Sequence, residues 1–570
     1  MSTPEAVKGQ GLRRFLPSSP ALAAILAVVL AIAGLVAPAS FLTDLIGAAC
    51  VTGIFVLSWT VFCGPTRELS LGHSLFVGVA GYLGALLQVR LARDPWVALG
   101  AGILEGATLG GGVAVLTFRH RGLYFSMVTM ALQLAFYRSL FLGSSWLGGE
   151  EGIIGVRSLA GSRMALYAIS ATALVIVFLV AGRFLRSWTG LLLGATGQDE
   201  LLALSLGADV PRLRFLGLAL SGAIAGLGGA LYVLTQGQAN AELASDFVSV
   251  RILLLAIAGG LWSLPGGLVS TFAFQSLQAF LFGRWRYDAL IYTGLLLAVV
   301  LALPRGLIPL RPRWEGRRPS GRRQRPTRPA DGSGLVLQNI QVRFGGVQAL
   351  DGVSLELARG ESIGLIGPNG SGKTTLLNVI AGHRQQGTKE VRWSGRSLSG
   401  LDASARARLG VRKTHQQVVF FPELTLEEHV AVAQAASGAV EDAPELAPLL
   451  EVCGGAAVAR VPLEEQPPAV ARMAEVAMAL AAPPELLLVD EPFAALSGRE
   501  VEAVCAALAA LQRRGVTMII VEHRLHELFR LVGEVVVMDQ GRIIARRPPA
   551  EVLSDPAVIA AYGISGRKSA

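Results

Sequence analysis

The run Gly367, Pro368, Asn369, Gly370, Ser371, Gly372, Lys373 and Thr374 has the spacing G-x-x-x-x-G-K-[ST] of a phosphate-binding loop. The residue types suit that chemistry. Glycines let backbone N–H groups close around phosphate oxygens, and a following helix N-terminus adds positive potential. Lys373 would reach the β- and γ-phosphates of a nucleoside triphosphate, Thr374 would ligate Mg²⁺ through its hydroxyl, and Thr375 would close the cradle. Farther along, Asp490 and Glu491 are adjacent. The first suits Mg²⁺, held directly or through water, and the second suits polarisation of an attacking water. His523 is placed to contact a γ-phosphate, Gln416 to sense Mg²⁺ and the attacking water, and Phe344 to stack on adenine. Glu491, His523, Gln416 and Lys373 form the expected catalytic set, with ATP and Mg²⁺ as the expected ligands.

Each of these residues needs an element to hold it. The loop follows an apolar run at 363–366 and precedes a helix-like run at 375–380, the strand–loop–helix setting the motif requires. Residues 486–489 read as a buried strand that ends in the two carboxylates. Residues 516–521 read as another, which delivers His523. Runs at 335–344 and 353–357 supply further strands. The second part of the chain, 335–570, is therefore expected to be an α/β nucleotide-binding domain.

The first part is different in kind. The 570-residue chain is 52% hydrophobic and 16% charged, too apolar for an ordinary soluble protein, and the apolar residues concentrate ahead of the ATPase-like half. Stretches of near-spanning length recur at about 21–39, 43–63, 74–91, 95–117, 121–143, 163–181 and 213–235. Arg119, His120 and Arg121 in one loop, and Arg183, Arg186, Arg212 and Arg214 flanking another, place both loops in the cytoplasm. The seventh span then leaves the chain outside, while the ATPase must sit with ATP in the cytoplasm. Residues 249–303 must therefore cross an odd number of times. Residues 262–267, Trp-Ser-Leu-Pro-Gly-Gly, interrupt the first apolar block there. Two short crossings would give ten spans, and a re-entrant piece would give eight. Interrupted helices at membrane depth often handle substrate, and a simple kink is the plainer reading.

The net charge of +9 is mostly local. Residues 311–330 hold eight Arg and one Glu, which is +7 of it. Residues 311–334, rich in Arg, Pro, Gly and Ser, read as a cytoplasmic linker able to lie on anionic membrane lipid, with no nucleic-acid partner. Cys50, Cys63, Cys453 and Cys505 form no C-x-x-C pair and suggest neither a disulfide framework nor a zinc site. Small residues in 222–229 suit close helix packing in lipid. Asp44, Glu105, Arg138 and Arg251 are the charges in or near spans, and His73 reads as a structural hydrogen-bonder.

The order of phosphate loop, Gln416, Asp490-Glu491 and His523 resembles an ABC-transporter ATPase. Phe344-Gly-Gly346, the 413–416 segment Lys-Thr-His-Gln, the 421–425 segment Phe-Pro-Glu-Leu-Thr, and Ala561-Tyr-Gly563 resemble the ATP-binding subunit of branched-chain amino acid transporters. In the first half, residues 69–73 (Leu-Ser-Leu-Gly-His), 121–125 (Arg-Gly-Leu-Tyr-Phe) and 303–306 (Leu-Pro-Arg-Gly) are similar to a permease subunit of the same system. The resemblance implies a polytopic α-helical permease domain of eight to ten spans, residues 1–310, fused through the linker to an ABC-type P-loop domain. It implies an importer in the bacterial cytoplasmic (inner) membrane. Its partners would be a solute-binding protein outside the membrane, a second permease subunit and a second ATPase subunit. Branched-chain amino acids are the expected cargo, with urea, short amides or other small organic solutes as alternatives. A membrane-tethered ATP sensor is a reading of another class. Two departures stand out. The ABC signature, Leu-Ser-Gly-Gly-Gln in pattern, corresponds here to Gln466, Pro467, Pro468, Ala469 and Val470; the prolines have no N–H, and neither proline nor alanine offers the hydroxyl that a signature lends to the opposite subunit's γ-phosphate. The second ATPase is therefore expected to carry an intact signature. The cytoplasmic loop keeps Glu200 and Gly207 but has no arginines at 193–196.

Overall fold

In lipid every backbone polar group must be paired within the chain, and the apolar half meets this demand with helices. The structure, a computed structural model, describes residues 19–36, 41–281, 287–308, 314, 334–383, 390–416, 418–437, 451, 459, 461–481 and 484–562. The linker 311–334 lies outside these but for Trp314 and Gly334. The chain divides into two units. One is made of residues 1–197 and 211–315, the other of residues 198–210 and 316–570.

In the first unit, among the described residues, five helices are long and apolar enough to cross a membrane: Phe41–Thr66, Pro95–Thr117, Leu123–Leu142, Arg163–Leu185 and Val210–Gln236. Ala21–Gly34, Ser74–Val89 and Leu290–Ala302 are shorter apolar helices. Asp246–Gly259 and Leu264–Leu281 are bent by 118° from one another at the expected interruption. Pro265 sits in the first turn of the second arm, where a missing N–H leaves no helical bond unmade. Five long plus three shorter helices make eight when the bent pair is re-entrant, and ten when both arms cross. Strands β1 (Ile153–Ile154) and β2 (Gln238–Ala239) form a short antiparallel pair.

Helices Pro95–Thr117 and Val210–Gln236 touch backbone to backbone. A Cβ on Gly106 would fall 2.1 Å from the Gly222 carbonyl oxygen, and one on Gly222 would fall 2.1 Å from that of Gly106. This is small-residue packing in lipid, as the sequence suggests. His73 is buried with Nε2 2.7 Å from Ser58 Oγ, a structural bond. Asp44 pairs with Arg163 at 3.1 Å. Arg251 donates to Gln278 Oε1 at 2.8 Å and to Gln275. Glu105 keeps one buried oxygen without a hydrogen-bond partner among the described residues. Arg214, expected to flank a loop, is buried against Glu68 and lies over the Phe125 ring.

The second unit holds two sheets. Strands β3 (Leu335–Phe344), β4 (Val347–Leu357), β6 (Glu390–Trp393) and β7 (Arg396–Ser397) form an antiparallel sheet in the order β4-β3-β6-β7. Strands β5 (Ser362–Ile366), β8 (Val411–Lys413), β9 (Leu486–Asp490), β10 (Thr517–Val521), β11 (Glu534–Asp539) and β12 (Arg542–Arg547) form the order β12-β11-β5-β10-β9-β8. All pairings of this sheet are parallel except β11 with β12. Every residue of β5, β9 and β10 is buried, which explains their unbroken apolar runs. The phosphate loop, Glu491 and His523 thus leave the same end of three neighbouring strands.

His383 follows the helix Lys373–Ala381, its ring 6.0 Å from that of His415. Burial, and then His415, Lys413 and Arg406, pull its pKa down to about 4 from 6.5. The folded domain therefore holds it neutral while the unfolded chain takes up a proton, so its contribution is present above pH 6.5 and is lost as pH falls through about 4. Thermal unfolding followed from pH 7.5 to 4.5 should show a destabilisation that His383→Gln reduces. Identical acid slopes for the two proteins would refute this assignment.

Candidate functional site

The phosphate loop turns sharply between β5 and the helix Lys373–Ala381. Gly372 caps that helix with φ +102°, and a Cβ there would meet the Ala349 carbonyl oxygen of β4 at 2.5 Å. No other residue type fits both constraints. Lys373 Nζ folds back onto the carbonyl oxygens of Gly367 and Pro368, 2.9 Å from each. Burial pulls its pKa down, opposed by Glu491 and Asp490. Ser371 Oγ is buried without a partner among the described residues. Pro368, Asn369 and Gly370 lie in the loop, and Thr374 and Thr375 in the first turn of its helix. Phe344 ends β3, paired with Val347, on the hairpin whose β4 abuts Gly372.

Asp490 ends β9 and is fully buried. Lys413 Nζ stands 3.9 Å from it, and its backbone N–H donates to Thr414 Oγ1 at 3.0 Å. Burial raises the Asp490 pKa, with Glu491 adding and Lys413 opposing. Neither carboxylate oxygen has a hydrogen-bond partner among the described residues. A buried carboxylate left so, close to a threonine-bearing phosphate loop, fits a hard cation that takes oxygen ligands. Among the described residues no group of three His, Cys, Asp or Glu side chains could hold an ion alone. Mg²⁺, the expected ion, usually shares its coordination with substrate phosphates and water.

Glu491 adopts φ +49°, a left-handed backbone that costs a non-glycine residue energy. Its N–H donates to the Val521 carbonyl at 2.9 Å, which fixes the turn. Two groups meet its Oε1: Gln416 Nε2 donates to it at 2.9 Å, and His523 Nε2 lies at 3.3 Å. Residues 416, 491 and 523, far apart in the chain, therefore converge on one oxygen.

Several residues that hold this site were not apparent in the sequence. Glu522 is buried and accepts from the N–H groups of Phe493 (2.9 Å), His523 (2.6 Å) and Arg524 (3.0 Å), so it sets the turn that carries His523. Arg472 and Glu475, both buried and 3.0 Å apart, grip the chain beside Gln416. Arg472 donates to the carbonyls of His415 (2.8 Å) and Gln416 (2.7 Å), and Glu475 accepts from the His415 N–H at 2.5 Å. The available signal was charge where the pattern is apolar: a carboxylate at the end of a buried strand, and an Arg/Glu pair at i, i+3 in the helix Pro468–Ala481. Pro468 is the first residue of that helix, so the degenerate signature sits at its N-terminus.

Residues 41–301 match the family model described as the branched-chain amino acid transport system / permease component, and residues 350–494 match the ABC transporter model. The LivG ATP-binding protein of high-affinity branched-chain amino acid transport in Salmonella typhimurium is 32% identical over 246 residues, 40% of this chain and 96% of that protein. The xylose import ATP-binding protein XylG of Burkholderia cenocepacia is 32% identical over 232 residues, 39% of this chain but 44% of that protein. A nucleotide-free ATP-binding cassette from an ABC transporter aligns at 26% identity and TM-score 0.36, over 40% of this chain and 98% of its own. An ATP-hydrolysing cassette and several membrane-length apolar helices occur on one polypeptide. The LivG relative is matched over nearly its whole length, and the permease model over the helices. The chain therefore belongs to the branched-chain amino acid ABC transporter family, as a permease fused to an ATP-binding subunit.

Proposed function

We propose that this chain drives import of branched-chain amino acids across the bacterial cytoplasmic membrane, with the ATPase domain in the cytoplasm. The observation that carries the ATPase part is the convergence of Gln416, Glu491 and His523 on one carboxylate oxygen. In this reading the N–H groups of residues 367–375 and the Lys373 ammonium hold the phosphates of ATP, and Phe344 stacks on adenine. Lys373 leaves its two loop carbonyls to do so. Glu491 takes the proton of the attacking water, Gln416 orients that water, and His523 contacts the γ-phosphate. Thr374, Asp490 and Gln416 would hold Mg²⁺, which neutralises phosphate charge when bound.

The permease match supports branched-chain amino acids as cargo. The xylose-import relative keeps other small solutes, urea and short amides among them, as the second reading. The proposed domains are 1–310 for the permease, 311–334 for a lipid-facing linker and 335–570 for the ATPase. The proposed partners are a second permease, a second ATPase with an intact signature and an external solute-binding protein. Eight spans with a re-entrant Asp246–Leu281 pair suit the parity argument. The first arm has 14 residues and is about 21 Å long, short of a hydrocarbon core of about 30 Å.

The test is uptake of labelled leucine in cells carrying the chain intact or with Lys373→Ala, with valine, urea, acetamide and xylose as competitors. Uptake that is lost in the variant and blocked by valine alone is the expected result. Leucine uptake indifferent to Lys373 overturns the cargo, and competition then identifies its replacement.

A further inference from the structure

The loop segment 198–210 has no arginines at 193–196 before it, yet it is bound tightly within the ATPase unit. Asp199 caps the helix Glu200–Ser205, accepting from the Leu202 N–H at 2.8 Å. The other end of that short helix presents carbonyls with no helical partner. Three in a row are satisfied by side chains of the ATPase. Arg412 NH1 donates to Leu206 O at 2.6 Å, Arg408 NH1 to Gly207 O at 3.2 Å, and Ser404 Oγ to Ala208 O at 2.9 Å. The segment is thus read through its backbone, and the positive charge at its C-terminal end comes from the ATPase side.

Arg412 differs from the other two. It is 3% exposed, has no carboxylate within ion-pair distance among the described residues, and leaves Nε without an acceptor. A buried guanidinium with one acceptor is costly to keep. Burial pulls its pKa down to about 10, so it remains charged at neutral pH. It also lies on β8, the edge strand of the main sheet. Lys413, the last residue of that strand, and Thr414 and Gln416 just beyond it reach the candidate hydrolytic site. Lys413 faces Asp490 at 3.9 Å, Thr414 Oγ1 accepts the Asp490 N–H and its own N–H bonds Leu488 O at 2.9 Å, and Gln416 bonds Glu491. Side chains alternate faces along a strand, so a pull on Arg412 toward Leu206 and the seating of Lys413 against Asp490 are set by the same backbone.

We propose that Arg412 is a positioning residue for ATP hydrolysis: by holding the Leu206 carbonyl it fixes edge strand β8, and so makes the seating of Thr414 and Gln416 at the catalytic carboxylates depend on the docked 198–210 segment. This rests on the ATPase reading above. Loop docking then sets turnover and leaves ATP affinity nearly untouched, because the phosphate loop hangs from β5 and not from β8.

The test uses the full chain with its co-purifying partners in lipid nanodiscs. Arg412→Met keeps the volume and removes the donor. The expected kcat for ATP falls about tenfold with the KM for MgATP within about twofold, and Arg412→Lys recovers part of the loss. Gly207→Val disturbs the segment independently, since Gly207 has φ +97° and a Cβ there would lie 3.2 Å from Ala436 O. If both act through docking, the double variant is no slower than the slower single variant. An unchanged kcat in Arg412→Met, or losses that multiply in the double variant, overturns the proposal. Should Arg412→Met not fold, amide exchange on the unsubstituted chain decides. A non-hydrolysable ATP analogue should slow exchange at 205–208 and 413–416 together, and a response confined to 413–416 overturns it. Hydrolysis insensitive to Lys373→Ala would instead sink the ATPase reading itself.

Discussion

Glu491→Gln should slow ATP hydrolysis by about 10³-fold while leaving ATP bound, a loss of about 4 kcal/mol of transition-state stabilisation. Glutamine is nearly isosteric with glutamate and still offers Oε1 to the Gln416 amide, which now donates to Glu491 at 2.9 Å. What it cannot do is take a proton from water. The turn at Glu491 is held at φ +49° by the bond to Val521, so the substituted side chain stays aimed at the same place. The variant should therefore accumulate with MgATP bound, which filter binding of labelled ATP would measure beside phosphate release. The result separates two readings of the chain. A carboxylate that only senses nucleotide could be neutralised without changing slow background turnover. Equal phosphate release from the variant and the unsubstituted chain would remove Glu491 from the chemistry and favour the sensor.

Asp490, Glu491 and His523 stand out in the sequence as candidates because each closes a buried strand. Burial on both faces forces unbroken apolar runs, as in β5, β9 and β10, and the polar residues that close such a run stand at the C-terminal end of the sheet. Asp490, Glu491 and His523 were found that way. The residues that orient them were not. Glu522 and the Arg472–Glu475 pair act on backbone N–H and carbonyl groups, which every residue has, so sequence carries no record of their partners. The 198–210 loop shows the same limit from the other side. No arginines stand at 193–196 ahead of it, yet Leu206, Gly207 and Ala208 need only carbonyl oxygens to be held. In the membrane half, composition located the helices, and the break at 262–267 was visible through Pro265 and its glycines. Arg214 flanks its loop as its charge suggests, but its pairing with the buried carboxylate of Glu68 had no signal in the sequence.

Turnover by this chain without another ATPase subunit should be very slow, and Pro467→Ser, Pro468→Gly and Ala469→Gly together should raise it by about 10²-fold. The argument concerns what the N-terminus of the helix Pro468–Ala481 can offer. An intact signature presents a hydroxyl and successive backbone N–H groups to the γ-phosphate held by the opposite cassette, and removing one such donor typically costs about 10²-fold or more in rate. Pro467 and Pro468 lack N–H groups altogether, and none of the three residues carries a hydroxyl. Val470 should be left alone. It packs with Leu426, Leu463 and Ala474 in a small apolar cluster, so a glutamine there would bury an amide for which the cluster has no partner. The prediction also fixes the partner. In a complex with a second ATPase, removing that subunit's signature hydroxyl should abolish hydrolysis at Glu491, because only that signature faces this chain's phosphate loop. The three substitutions here should act only on the partner's site. Brisk hydrolysis by a native complex with two copies of this chain and no other ATPase would sink the heteromeric reading, since each of its composite sites would then have to work against a proline-headed helix.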